Sequence, residues 1–279
     1  MWSINDYRIP YPNLKKKKLD IKIIKIHLTN IPKESHIDLT SQFPSTRCQG
    51  MTNSCVAFAV TGAMEFIMNQ FKSLNNKILS EEYLYNECIK FEKLHEHSEI
   101  GTHISIALHI ATEKGICTEE AYKNNNLLDA TNYRIKSYGC LHELIIGNFV
   151  NKETKIAIIR KSLSINIPII ISFKESCNPF HSLYSRLTGY IINSSNMTSI
   201  RHCVIIVGYN DENKTFKFRN SRDSKYFHWG DNGYGYINYN DVNIITQGWI
   251  ITGINILDKI DILRYQFMNS SQDDNLEMI

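Results

Sequence analysis

No stretch of this 279-residue chain is an uninterrupted apolar run long enough to cross a bilayer. The opening "MWSINDYRIPYPNLKKKK" also lacks the apolar centre of a signal peptide, so the sequence predicts a soluble, intracellular protein with no membrane partner. A strong excess of either charge is missing too: a formal net charge of +3 is too mild to imply nucleic acid. The seven cysteines are odd in number and show no C-x-x-C spacing, which argues against a disulfide framework. Most are expected to be reduced, although a pairing such as Cys88 with Cys140 is not readable from sequence. No internal repeat is evident, which excludes a solenoid.

What the chain does contain is 43% hydrophobic and 21% charged residues, enough to bury one large core or two adjacent lobes. Residues 1–35 read as an N-terminal arm, and the Lys15 to Lys18 run within it as a solvated face. From Ser54 the pattern turns helical and too apolar for a surface helix, through Val56, Phe58, Ala59, Met64, Phe66 and Ile67. "LSEEYLYNECIKFEKL" (79–94) predicts a second helix capped by Ser80. "THISIALHIATEKG" (102–115) predicts a third that stops at Gly115. "NKETKIAIIRKSLSIN" (151–166) predicts a fourth, capped by Asn151. After it "PIIISF", "HCVIIVGYN", "KTFKFRNS" and "GYGYINYN" read as strands. The expected division is a helical part over 36–150, a β-rich part over 151–264 and a frayed polar tail over 265–279.

One cysteine stands out. Cys55 falls at the first turn of the apolar helix, where the positive end of the helix dipole favours thiolate. Burial does the reverse, so a cationic partner is required. Among ten histidines, His202 is the candidate, because it opens a strand whose remainder is apolar. The following strand ends at Asn220, which a hairpin would return beside His202, where an amide fixes the ring's tautomer. A different use of the histidines is a metal module built from Cys88, His95, His97, His103 and His109. Its gaps follow neither zinc-finger nor H-E-x-x-H spacing, and no metal is expected.

These residues resemble a known family. "QGMTNSCVAFA" is similar to the active-site loop of papain-like cysteine peptidases, and Gln, Cys, His and Asn occur in that family's order. "RNS…HWGDNGYGYI", "LSEEYLYNE", "GTHISIALHIATEKGICTEEAY" and "IPKESHIDLTSQFP" resemble further family segments, so the likeness spans roughly residues 32–260. It implies an α+β, two-lobed papain-like fold: a helical left lobe, a β-barrel-like right lobe and an active-site cleft between them. It implies catalysis by Cys55 as nucleophile, His202 as its partner and leaving-group acid, Asn220 as orienter of His202, and Gln49 as oxyanion donor. Trp229 would cover the His–Asn pair, Gly101 and Thr102 would line the wall that meets the substrate backbone, and Cys203 would lie near a substrate pocket. The substrate would be a peptide or protein, handled by a monomer with no cofactor, and cleavage within chains is expected over a cathepsin-B-like trimming of ends.

The departures from the family pattern are local. Val56 replaces an aromatic residue, Thr52 replaces a disulfide cysteine, and Arg222 stands where a tryptophan usually shields the asparagine. A cation there disfavours imidazolium at His202. A catalytically silent relative that binds peptides or a partner through the cleft is the reading Arg222 favours. Residues 1–35 are expected to act as a short pro-segment or to pack on the back of the β-rich part.

Overall fold

Twelve of the fourteen residues of the helix that begins at Cys55 are buried. A helix apolar on every side must be enclosed on every side, and this one (α1, Cys55–Met68) runs through the centre of the molecule against a long strand. Its small residues permit the close approach: a Cβ on Gly62 would come within 3.1 Å of Ile205 Cδ1. In this computed structural model the described residues are 22–26, 28, 32–71, 74, 76–92, 101–144, 150–176, 179–192, 197–222, 228–256, 263–264 and 276–278.

The other helices among them are α2 (Glu81–Glu92), α3 (Ile104–Glu113), α4 (Glu119–Lys123), α5 (Lys152–Ser164) and α6 (Pro179–Thr188). Ser80 Oγ accepts from the Tyr83 N–H at 3.3 Å and Asn151 Oδ1 from the Thr154 N–H at 2.8 Å, each satisfying a donor that the first helical turn leaves over. Past α3, Gly115 adopts φ +87°, and a Cβ there would sit 1.8 Å from the Ala130 carbonyl oxygen. Only glycine fits that turn.

The strands are β1 (Ile23–Ile26), β2 (His36–Asp38), β3 (Tyr133–Leu141), β4 (Ile169–Ser176), β5 (Met197–Asn210), β6 (Thr215–Arg219), β7 (Tyr234–Asn238), β8 (Ile245–Ile256), β9 (Leu263–Arg264) and β10 (Leu276–Met278). They form one sheet in the order β10-β1-β3-β8-β4-β5-β6-β7, with β2 added to β5 and β9 to β8. All pairings are antiparallel except β1 with β3. The expected barrel-like closure is therefore corrected: β7 and β10, at the two ends of this path, are not paired with each other.

Four further elements differ from the sequence reading. β3 lies in the stretch read as helical, because register shifts around Ile135, Ser137 and Tyr138 interrupt its two-residue alternation. β8 went unread because Gly248 and Gly253 punctuate it, whereas the proline that opens α6 is a normal first-turn residue that was not read as a helix start. β5 begins at Met197, so His202 is a mid-strand residue and does not open the strand. Part of the arm, Ile23–Ile26, joins the sheet with Ile24 and Ile26 buried, and part of the tail, Leu276–Met278, pairs with it. Residues 1–21, including the lysine run, lie outside the described residues.

Candidate active site

The site forms where the N-terminal end of α1 meets the middle of β5 and the segment after β6. The β4–β5 register sets His202 opposite Phe173, whose ring meets the imidazole edge-on at 5.7 Å between centroids. Returning along β6, the chain pairs Ile205 with Arg219 and delivers the next residue, Asn220, to His202. The His202 Nε2 to Asn220 Oδ1 distance is 2.7 Å, with both side chains buried. Asn220 Oδ1 also accepts from the Ser221 backbone N–H at 2.9 Å, which fixes which end of the amide faces the ring. An amide oxygen only accepts, so His202 Nε2 carries the proton and Nδ1 is left as the basic nitrogen.

Cys55 is partly exposed at the start of α1, against β5. Burial pushes its thiol up; the backbone N–H of Cys203 and the Arg222 charge pull it down, and Glu175 pushes it up again. His202 is driven down to about 4, chiefly by burial and then by Arg222, against opposing contributions from Glu175 and from the Asn220 bond. Ser54 makes no side-chain cap bond, so the polar end of α1 is not closed by its own N-cap.

Gln49 is tied across to the other side of the site. Its backbone N–H donates to the Ser221 carbonyl at 2.8 Å, and Ser221 Oγ donates to Gln49 Oε1 at 2.6 Å. Gln49 Nε2 donates to the Thr52 carbonyl at 2.5 Å, which leaves the second hydrogen of that NH2 group for another acceptor. Ser221 thus bridges Asn220 and Gln49, a part that sequence reasoning did not assign it and that no local pattern announces.

The remaining candidates are dispersed. Trp229 is buried against Phe218, with ring centroids 5.8 Å apart, and lines a pocket shared with His202 and Asn220. Glu175 and Arg222 line the same pocket as an ion pair, Nη2 to Oε1 at 2.8 Å. Glu175 is a second residue that sequence reasoning missed, since only the three-dimensional pairing brings it to Arg222. Gly101 lies against the loop that leads to Cys55, where a Cβ would be 3.3 Å from the Asn53 carbonyl oxygen. Thr102 turns its hydroxyl to Glu92 Oε2 at 2.6 Å. Cys203 is buried behind Cys55, and burial holds its thiol protonated.

As for the metal module, His95 and His97 lie outside the described residues, and His109 packs edge-on against Phe91 at 5.4 Å. Among the described residues no group of three or more His, Cys, Asp or Glu could hold an ion. Cys88 and Cys140 are both free, buried thiols.

A family model described as papain family cysteine protease matches residues 33–250. The chain belongs to the papain family. An uncharacterised peptidase C1-like protein of Acanthamoeba polyphaga mimivirus is 28% identical to this papain-family chain over 225 residues, covering 73% of it and 68% of the viral protein. Among solved structures, xylellain, a cysteine protease from Xylella fastidiosa, superposes with a TM-score of 0.64 at 21% identity, covering 82% of this chain and 88% of xylellain. Digestive procathepsin L 3 of Tenebrio molitor larval midgut gives 0.61 at 19% identity, covering 81% and 72%. The fold is papain-like, in mixed helix and sheet. No helix among the described residues is long and apolar enough to cross a membrane.

Proposed function

We propose that the chain is a thiol peptidase that cleaves peptide bonds through Cys55, His202 and Asn220, with Gln49 and the Cys55 backbone N–H receiving the oxyanion. The observation that carries this reading is the buried 2.7 Å contact between His202 Nε2 and Asn220 Oδ1, which leaves Nδ1 as the ring's basic atom. In the proposed reaction Nδ1 takes the Cys55 proton and the sulfur attacks the scissile carbonyl. Imidazolium then protonates the leaving amine, and water hydrolyses the resulting thioester. Neither charged form is favoured alone in this buried setting. Proton transfer from sulfur to ring is therefore the step that substrate binding, by excluding water, must promote.

The substrate is a peptide or protein laid along the cleft by a monomeric enzyme, with Gly101 and Thr102 on its wall, Cys203 behind a substrate pocket, and Trp229 over the His–Asn pair. Endopeptidase action is the form we favour. A loop around His95 and His97 that would restrict cleavage to chain ends falls outside the described residues. The proposed parts are a helical one up to residue 150 and a β-rich one up to 264, with residues 1–35 as an arm whose strand Ile23–Ile26 belongs to the sheet and whose first 21 residues, if they cover the cleft, raise activity on removal.

Labelling with iodoacetamide at mildly acidic pH, followed by mass mapping, tests the reading. Ordinary thiols are protonated there. Selective modification of Cys55, lost in His202→Ala, is the expected result, followed by peptide hydrolysis abolished in Cys55→Ala. The burial that opposes both charged forms favours a second reading, a silent relative that only binds peptides. Slow labelling at Cys55 no different from the other thiols, with and without residues 1–21, which precede the strand Ile23–Ile26, would establish that one instead.

A further inference from the structure

The pocket beside His202 contains a charge pair that acyl transfer does not itself require. Glu175, near the end of β4, and Arg222, two residues past Asn220, meet at 2.8 Å with side chains 27% and 39% exposed. Arg222 is also held through its backbone, by a bridge to Cys48 next to Gln49. Its guanidinium is thus fixed at the rim of the site from two directions. We propose that the Glu175–Arg222 ion pair is a positioning device that sets the pH range in which the Cys55–His202 couple works, Arg222 drawing that range down and Glu175 drawing it back up. This rests on reading Cys55 and His202 as nucleophile and base.

The physical argument does not depend on which of the two atoms holds the proton. The working couple shares one proton between sulfur and imidazole; it fails on the acid side by gaining a second and changes on the alkaline side by losing the last. A fixed positive charge opposes every added proton, so it lowers both steps together, and a fixed carboxylate raises both. The influences on the two groups follow this pattern: Arg222 pulls Cys55 and His202 down, Glu175 pushes both up, and at each group Arg222 has the larger effect. Among the described residues, the other groups facing His202 carry no competing fixed charge. The couple's other member is the proposed Cys55 thiol at the start of α1, and α6 brings the neutral hydroxyls of Ser182 and Ser185, which line the pocket. Arg201 and Cys203, on either side of His202 in β5, alternate to the other face of the strand, where Arg201 is exposed and Cys203 is a buried, protonated thiol.

The test is the pH dependence of Cys55 alkylation by iodoacetamide on the full chain, which needs no substrate. Wild type, Arg222→Gln, Glu175→Gln and Arg222→Lys are compared at low ionic strength, with Cys55→Ala as blank and His202→Ala as control. Arg222→Gln is expected to move both ionisation steps up by about half a pH unit, a partly exposed pair acting below its buried maximum. Glu175→Gln should move both down, and Arg222→Lys, which keeps the charge, should stay close to wild type. Salt should shrink the differences. Loss of packing alone cannot send the two neutral variants in opposite directions. Equal steps in wild type and Arg222→Gln, or shifts of the same sign in both neutral variants, would overturn the inference while leaving a His202-dependent Cys55 intact. A single ordinary thiol step indifferent to His202→Ala would instead sink the nucleophile–base reading, and this inference with it.

Discussion

Arg47, at the start of the segment that leads to Cys55, grips Glu65 with one nitrogen, Nη2 lying 2.8 Å from Oε1 and 2.9 Å from Oε2. Its Nε pairs with Glu81 Oε1 at 2.5 Å, so one guanidinium serves two buried carboxylates. Glu65 Oε1 also accepts from the Leu79 N–H at 2.9 Å. This fastens α1 to the entry of α2. Arg219 lies close enough for its charge to act on the cluster, and its Nη2 donates to the Ser45 carbonyl at 2.9 Å.

Removing the cation should cost far more than the net value of the pairs. Arg47→Met leaves two carboxylates buried without their contact partner, and a loss of about 3–5 kcal/mol is expected. Urea unfolding followed by circular dichroism at neutral pH measures it; a loss below about 1 kcal/mol would show that the site admits water.

The same cluster makes stability depend on pH. Glu81 is pushed up to about 7, first by burial and also by the neighbouring Glu65, against the pull of Arg47. A group whose folded pKa lies above its unfolded value contributes fully below the unfolded value, near 4.5, and loses that contribution as pH rises through 7. Glu81→Gln carries no such loss. Its stability relative to wild type should therefore improve between pH 5 and pH 8, by roughly 2–3 kcal/mol. Unfolding midpoints across that range decide it, and a constant difference would refute the assignment.

Asn220→Ala removes the acceptor of the His202 ring and leaves the Ser221 N–H without its Oδ1 partner. A hydrogen bond to a group that becomes charged is worth about 1.5–3 kcal/mol, so peptide hydrolysis should fall roughly 10- to 100-fold. The loss should be in kcat, since the imidazolium forms during the reaction.

Ser221→Ala offers a finer separation. It frees Gln49 Oε1, and a neutral hydrogen bond is worth about 1 kcal/mol, so hydrolysis should drop several-fold. Alkylation of Cys55 should barely change, because the proposed partner of Gln49 is the acyl oxygen and not the sulfur. Equal losses in both assays would place the serine's effect on the thiol.

How much of this was legible in the sequence depended on how local the cause was. The apolar run after Cys55 and the caps Ser80 and Asn151 are local signals, and α1, α2 and α5 lie where they indicate. Gly115 is equally local, because its turn admits no Cβ. β3 and β8 escaped because bulges and glycines broke the alternation by which a strand is read. Their assignment rests on pairing with each other, which is a property of the sheet. At the site, the residue types of Cys55, His202, Asn220 and Gln49 could be read, yet the mid-strand position of His202 could not, since five residues with no strand pattern precede it. Glu175 and Ser221 were invisible for the same reason: each matters through a neighbour distant in sequence.

The bond between Ser221 and Gln49 joins residues 172 positions apart. Contacts of that separation form only after the intervening chain has been threaded and folded. On the ribosome, Cys55 is therefore made long before the strand that carries His202 and the serine that steadies Gln49. Until those arrive the couple proposed here cannot assemble, and Cys55 is an ordinary thiol on an unfinished chain.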